Sequence, residues 1–416
     1  MVAGGGPAGM MLGLLLARAG VLVVVFEKHA DFLRDFRGDT IHPSTLEVLY
    51  ELDILDDFLK RPHQEVRQLT GRVAGKSVTI ADFTHLPTHC KFLALMPQWD
   101  FLDFLAGHAR RFTTFDLRMR TEVTGLIEEG GRVAGVHVET PDGPQDIRTD
   151  LVVGADGRHS VVRERAGLPA DCIGAPMDVL WMRMTRRPDD PGQALGYVEN
   201  GHILVMLDRG DYWQCAFVIP KGGFDDIRQR GIDAFRAALA SIVPFMRDRV
   251  GELRDWNDTK LLTVLVDRLR RWHRPGLLCI GDAAHAMSPI GGVGINLAIQ
   301  DAVAAANILA GPLARGTCSD ADLARVQKRR ELPTRIVQKA QLIAQERLIG
   351  PALTGKGPQQ LPWPLKLLRR FPMLRRIPAR LVGVGIRPEH ILSRQSSVVS
   401  RQSSVVSKGG GRRDTG

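Results

Sequence analysis

The chain has 416 residues, 44% apolar and 25% charged: ordinary globular values, at a length that suggests two or more domains rather than one core. Its net charge of +10 is confined to one end, because residues 361–416 hold twelve Lys/Arg and two acids while residues 1–360 are neutral, which excludes a whole-chain argument for nucleic-acid binding. No apolar run reaches the roughly 18 residues that would span a bilayer, no signal peptide is evident, and five scattered cysteines without paired spacing suggest cytosolic thiols, neither disulfides nor a metal site.

The first element is a short strand, Met1 to Ala3, although strands of this kind run about five or six residues, so a native start upstream is one expectation. It leads into Gly4-Gly5-Gly6-Pro7-Ala8-Gly9, a G-x-G-x-x-G turn followed by an apolar helical run to Ala19 closed by Gly20. Gly4 is suited to the tight bend, Gly6 to backbone approach of a pyrophosphate, and Gly9 to close packing of helix on strand. A second strand, Val21 to Phe26, ends in Glu27, eighteen positions after Gly9, where an acid can bind a ribose diol.

A helix is predicted over 44–60 with Ser44 as its N-cap, after a segment containing His42 and Pro43. Another opens at Gln98 and runs to Arg111. Val123–Ile127, Gly135–Thr140 and Asp146–Val153 read as a small β-meander around the turn at Pro141-Asp142-Gly143, leading into Asp156-Gly157-Arg158. From 172 to 262 the pattern changes to a mainly antiparallel sheet: Leu180–Arg183, Leu195–Val198, His202–Asp208 and Tyr212–Ile219, then an amphipathic helix over 224–250. Residues 67–96, with Val78–Ile80 and Phe92–Leu95, are expected to join that sheet. Trp181, Met206, Trp213 and Phe217 suit either an apolar pocket or the core.

The most informative stretch runs from Gly281 to Asn296. A strand, Leu277 to Ile280, delivers Asp282, and the loop through His285, Pro289, Gly291 and Gly292 leads into a helix starting near Gly294. Glycines at this density suit backbone that approaches a ligand closely, and a helix start directs free N–H groups and partial positive charge at it. His285, beside Asp282, is read as orienting this loop. Beyond it, Lys366, Arg369, Arg370, Arg375, Arg376 and Arg380 interleave with Leu, Phe and Ile. The expectation is helix with its apolar side on the body and its cations solvated, the alternatives being contact with anionic lipid or steering of a phosphorylated nicotinamide. Arg394–Ser400 repeats unchanged as Arg401–Ser407, a Ser-rich tail too polar to order itself.

Together the G-x-G-x-x-G with Glu27, the Asp156-Gly157-Arg158 segment and the Gly281-Asp282 segment, in that order, resemble the flavin-dependent aromatic hydroxylases of the p-hydroxybenzoate hydroxylase type. The resemblance covers about residues 1–390. It implies an α/β fold: a Rossmann-like FAD-binding domain (1–66, 97–171 and 262–330) with an inserted, mainly antiparallel substrate domain (67–96 and 172–261). A C-terminal helical segment (331–392) and the repeat tail (393–416) complete the organisation. By resemblance, FAD contacts Gly4, Gly6, Gly9, Glu27, Arg37, Gln98, Asp156, Gly157, Gly281, Asp282, Gly294, Ile295 and Asn296. Asp282 would accept from ribityl hydroxyls, and the N–H groups of Ile295 and Asn296 would face the flavin pyrimidine edge. Pro289 would shape a dry pocket at flavin C4a, with His42 as a further catalytic candidate.

The activity implied is a cytoplasmic monooxygenase, monomer or homodimer, using FAD, NADH or NADPH, and O2. It would hydroxylate an aromatic or polycyclic small molecule through a flavin C4a-hydroperoxide. Phenol hydroxylases commonly use a tyrosine, and only Tyr50, Tyr197 and Tyr212 are present. The alternatives are a halogenase or prenyl-reductase type of the same fold, or a truncated non-catalytic FAD-fold protein. No W-x-W-x-I-P segment of the halogenase kind occurs.

Overall fold

The computed structural model describes residues 1–33, 40–191, 195–199, 201–353 and 360–392. From the amino terminus β1 (Val2–Ala3) enters the glycine turn, α1 (Pro7–Arg18) follows, and β2 (Val23–Phe26) returns. Pro7 presets φ at the start of α1, whose apolar residues are buried nearly throughout. Next come β3 (Thr40–Ile41), α2 (Pro43–Glu51) and α3 (Leu55–Leu59). The single helix expected over 44–60 is thus two, because Asp53 takes a φ of 58°, a left-handed conformation that ends a helix. The N-cap is His42, with Pro43 in the first turn, so Ser44 is not the cap it was expected to be.

β4 (Gln64–Val66), β5 (Gln68–Val73), β6 (Lys76–Asp82) and β7 (Leu93–Leu95) precede α4 (Gln98–Ala109) and β8 (Phe115–Arg118). The expected meander forms from β9 (Glu122–Glu129), β10 (Arg132–Thr140) and β11 (Gly143–Arg148). β12 (Val152–Gly154) is a separate strand, and α5 (Val161–Arg165) and β13 (Ala170–Cys172) follow it. The inserted region supplies β14 (Met177–Thr185), β15 (Leu195–Glu199), β16 (His202–Asp208) and β17 (Tyr212–Pro220). Where one helix was expected over 224–250, α6 (Phe224–Arg230) and α7 (Ile232–Ile242) are divided by Gly231 at φ 88°. β18 (Thr259–Leu262), β19 (Asp267–Leu269), β20 (His273–Arg274) and β21 (Leu277–Cys279) come next. The chain closes with α8 (Gly294–Ala314), α9 (Asp320–Ala344), α10 (Gly350–Leu353), α11 (Trp363–Arg370) and α12 (Arg376–Gly383). The boundary expected at residue 330 falls inside α9.

Two sheets organise these elements. The first has the order β20-β21-β12-β1-β2-β8, parallel except for β20. β1 is only two residues long, yet it pairs on both sides, Val2 with Val153 and Val25, so a short strand suffices at the centre. α1 packs against α8 and α4, burying the sheet as parallel strands require. α8 has the length and composition to cross a membrane, but most of it is buried as a core helix against α1 and α9. The second sheet has the order β18-β14-β17-β16-β15-β5-β6, antiparallel except where β5 meets β15. β7 does not join it as expected; it pairs with β3 and β4.

Strand alternation sorts the aromatic candidates. Met206, Trp213 and Phe217 point to the face covered by α7, in a core with Leu180, Met182 and Phe235. Trp181 lies on the opposite face with Val179, Val205 and Ala216. The apolar side of the basic segment is not covered as expected: α11 fully buries none of its side chains, and Trp363, Phe371, Met373 and Ile377 are exposed.

Candidate active site

The three motifs meet because β1, β12 and β21 are adjacent and parallel, so the turns that follow them open at one edge of the sheet. That edge, the carboxyl ends of the strands, is where open α/β sheets bind ligands. Gly4 has φ 103°, and a Cβ there would collide with the Ala155 carbonyl. A Cβ on Gly9 would strike the Gly4 carbonyl, so α1 can approach β1 only with glycine at this position. At Gly6 an added Cβ would meet nothing within 4 Å, leaving the backbone at the start of α1 open to a ligand. Glu27 Oε2 accepts from the Gly5 N–H at 3.1 Å, bringing the carboxylate at the end of β2 beside the glycine turn.

Asp156, after β12, accepts from Ser160 Oγ at 2.5 Å and the Val162 N–H at 3.1 Å, so its carboxylate anchors the start of α5. Burial outweighs these bonds and raises its pKa. Gly157 follows at φ 87°, and Arg158 Nη2 then reaches within 3.8 Å of Asp282 Oδ2. The Asp282 carboxylate stands on the turn Gly281–Ala283 after β21 and is one-third exposed, not buried as a capping residue would be.

That turn is held from below. Asp301 on α8 accepts from the Gly281 N–H at 3.1 Å, and its other contacts are His285 Nε2 at 2.5 Å and Arg330 Nε at 2.9 Å. Arg330 also meets Glu389 at 3.2 Å, and Trp272 packs on the His285 ring. Burial pushes the Asp301 carboxyl up, but His285 and Arg330 outweigh it and hold it below the ordinary value. His285 is therefore a buried support of the loop.

Gly294 opens α8, so the N–H groups of Ile295 and Asn296 belong to the first turn of a long helix and have no intrahelical partner. Ser44 and Thr45 Oγ atoms each donate to Asn296 Oδ1 at 2.8 Å, fixing this helix start to α2. His42 is fully buried: Nδ1 is 2.7 Å from the Val382 carbonyl and Nε2 is 3.0 Å from the Gly292 carbonyl. Burial lowers the His42 pKa and favours the neutral ring, which donates one hydrogen bond to one of these two carbonyls, and the ring is closed to a substrate. Gln98 lies at the first turn of α4, half-buried. Arg37 lies outside the described residues.

These positions fit FAD: open backbone at Gly6, an accessible carboxylate at Asp282, and two helix N-termini facing the same edge. The FAD binding domain family matches residues 1–340. The chain belongs to that family. The 6-methylpretetramide 4-monooxygenase of Streptomyces rimosus is 34% identical over 383 residues, 91% of each chain. The dialkyldecalin synthase of Streptomyces rugosporus is 29% identical over 319 residues, 73% of this chain, which spans only 63% of that protein. Among solved structures, the anhydrotetracycline hydroxylase OxyS of Streptomyces rimosus superposes with a TM-score of 0.73 at 25% identity, over 92% of this chain and 75% of that one. The flavoprotein is an FAD-dependent oxidoreductase of the monooxygenase type.

In the flavoprotein, Ile290, just after Pro289, packs in one apolar cluster with Val198, Ile203 and Val218 of the second sheet and with Ile349 and Leu353. The face opposite α7 therefore meets the glycine-rich loop. The tyrosines stand elsewhere. Tyr197 is buried on the α7 side, Tyr50 stacks on His89, and Tyr212 lies under the Arg183 guanidinium.

Sequence reasoning missed the loop's other support. Gln338 Nε2 donates to the Asp267 and Ala286 carbonyls, Gln341 Nε2 to those of Ser288 and Ile290, and Gln345 Nε2 to Ser288 Oγ. Their spacing, i, i+3 and i+7, was a visible signal of one helical face.

Proposed function

We propose that the flavoprotein hydroxylates a fused polycyclic aromatic small molecule, with NADH or NADPH as reductant and O2 as oxygen donor. Its products would be the hydroxylated ring, NAD(P)+ and water. The carrying observation is the convergence of Asp282, the Gly6 backbone and the start of α8 at one sheet edge, beside a loop whose Ile290 meets the apolar face of the second sheet. Identity of 34% over 91% of a monooxygenase named for a polycyclic substrate supports the substrate class.

In this reading Gly4, Gly6, Gly9 and the start of α1 hold the pyrophosphate, and Glu27 holds a ribose. Asp282 accepts from the ribityl chain, with Asp156, Gly157, Gly281, Gly294 and Gln98 shaping the site around it and Arg37 as a further contact. The N–H groups of Ile295 and Asn296 stabilise negative charge at the flavin pyrimidine edge. Bound FAD supplies electron transfer from the nicotinamide and activation of dioxygen. Pro289 and Ile290 exclude water from the reacting face, and His42 positions this loop without touching substrate. The free cysteines Cys90, Cys172, Cys215, Cys279 and Cys318 suit a cytoplasmic enzyme, monomer or homodimer.

The test is the visible spectrum of the purified protein with and without added FAD, then anaerobic NADH or NADPH, then aerobic turnover of polycyclic phenols under labelled O2. Flavin bands that bleach, with one labelled oxygen in the product, are expected. A protein that binds FAD and is reduced but leaves every polycyclic phenol unlabelled would refute the substrate class; failure to take up FAD would refute the site.

A further inference from the structure

The segment from Trp363 to Gly383 carries a surface that the oxidoreductase site does not use. It is seated on the second sheet by its inner residues: Leu361 and Leu365 pack with Val73 and Val78, and Ala379 is fully buried in the cluster around Phe83 and Leu86. Arg375 Nε donates to the Leu368 carbonyl at 3.0 Å, locking α11 to the turn before α12. The outward side is apolar in two lines. Trp363 and Leu367 are spaced i, i+4 on α11, and Ile377 and Leu381 i, i+4 on α12, so each pair stands along one side of its helix; Phe371 and Met373 lie in the turn between the helices. Trp363, Met373 and Ile377 are 76%, 71% and 67% exposed.

Between these lines stand Lys366, Arg369, Arg370, Arg375, Arg376 and Arg380, with no carboxylate anywhere from Trp363 to Gly383. Among the described residues none of the six makes an ion pair. Isolated apolar side chains on a surface need no explanation, but contiguous ones rimmed by unneutralised cations mark an interaction face. Large apolar side chains with interleaved Lys and Arg are what an anionic bilayer surface recognises: the rings and aliphatic chains enter the interface and the cations meet lipid phosphates.

Charge selects among occupants. A second copy meeting the same face would bring six cations against six. The chain's own tail, residues 393–416, holds five Lys/Arg and a single acid, so it cannot neutralise the patch. We propose that the α11–α12 face docks the protein peripherally on an anionic phospholipid membrane. This goes beyond the oxidoreductase reading and does not depend on it.

The experiment is co-sedimentation of the full-length, FAD-loaded protein with vesicles of phosphatidylcholine alone or of phosphatidylcholine with one-third phosphatidylglycerol. Binding to the anionic vesicles is expected to exceed that to neutral ones by at least ~10-fold at low salt and to weaken as salt is raised. R369Q/R370Q/R376Q should remove the preference, and M373S/I377S should remove the part that survives salt. These side chains are exposed, so both variants should keep their flavin and melting temperature, which are measured alongside. Equal binding to the two vesicle types would overturn the proposal, as would parent-like binding by the folded variants. A dimer that M373S/I377S abolishes would assign the face to a second copy. Tight binding to polyglutamate without a preference for anionic vesicles would assign it to an acidic protein.

Discussion

Asp301→Asn tests whether the Gly281–Asp282 turn is held by the ion network beneath it. The Asp301 carboxylate meets the Gly281 N–H, His285 and Arg330 at 3.1, 2.5 and 2.9 Å, and none of the three side chains is more than 1% exposed. Asparagine keeps one acceptor oxygen and removes the charge, leaving Arg330 only Glu389 among the carboxylates of the described residues. Removing one partner of a buried ion pair costs about 3–5 kcal/mol. The hydrogen bonds share that carboxylate, so their energies do not add to this figure.

The comparison is Asp190→Asn, whose parent carboxylate pairs with buried Arg249 through two contacts of 2.7 Å and accepts from Trp213, far along the chain from the flavin turns. Both variants should lose a similar unfolding free energy in denaturant titrations. Only Asp301→Asn should also weaken FAD, by ~10-fold or more if loosening the turn removes one hydrogen bond to a charged group. Equal FAD affinities at equal loss of stability would refute the reasoning.

A pH dependence follows from the same carboxylate. Its folded pKa lies below the unfolded value of about 3.9, so its contribution is full above that pH and is lost as pH falls through the folded value. The parent should show an acid-unfolding component below about pH 4 that the asparagine variant lacks.

Asp282→Ala should loosen FAD by about 1.5–3 kcal/mol, read by equilibrium dialysis, while leaving apoprotein stability nearly unchanged because the side chain is one-third exposed. Gly9→Ala places a methyl group into the Gly4 carbonyl, so the purified variant should retain no flavin; a yellow, fully loaded variant would contradict the packing of α1 on β1. Gln341→Leu frees the Ser288 and Ile290 carbonyls. It should keep FAD but consume NAD(P)H with peroxide release in place of product, and tight coupling in that variant would show that the loop needs no such support.

The parts of the site legible in the sequence are those whose chemistry is local. Gly9 is dictated by a backbone contact within its own turn, with the Gly4 carbonyl, and Gly4 and Gly6 share the same short motif, although what Gly4 avoids is the remote Ala155 carbonyl. Asp282 and the start of α8 follow from a strand, a loop and a helix in succession. The supports were hidden because each links residues remote in sequence. Ser44 signals an N-cap to any local reading, yet its hydroxyl bonds Asn296, 252 positions away. Asp301 and Arg330 are 29 residues apart on different helices. Glutamines in a charged helix read as solvated, and only the packing of α9 against the loop reveals Gln338, Gln341 and Gln345 as interior donors. Alternation within each strand could not separate Trp181 from Trp213, because their relative faces depend on the register of β14 with β17, which sets Trp181 opposite Ala216, and the core face is the one that α7 covers.

These supports change what the C-terminal segment is. Residues beyond 330 do not form an appendage to the FAD domain, because they supply donors to four carbonyls of 267–290, and Glu389 pairs with Arg330. His42 stands between the Gly292 carbonyl of the glycine-rich loop and the Val382 carbonyl of α12, so the loop and the C-terminal segment meet through one buried side chain. A fully buried neutral ring enclosed between two backbone carbonyls holds position and does not move protons to a substrate.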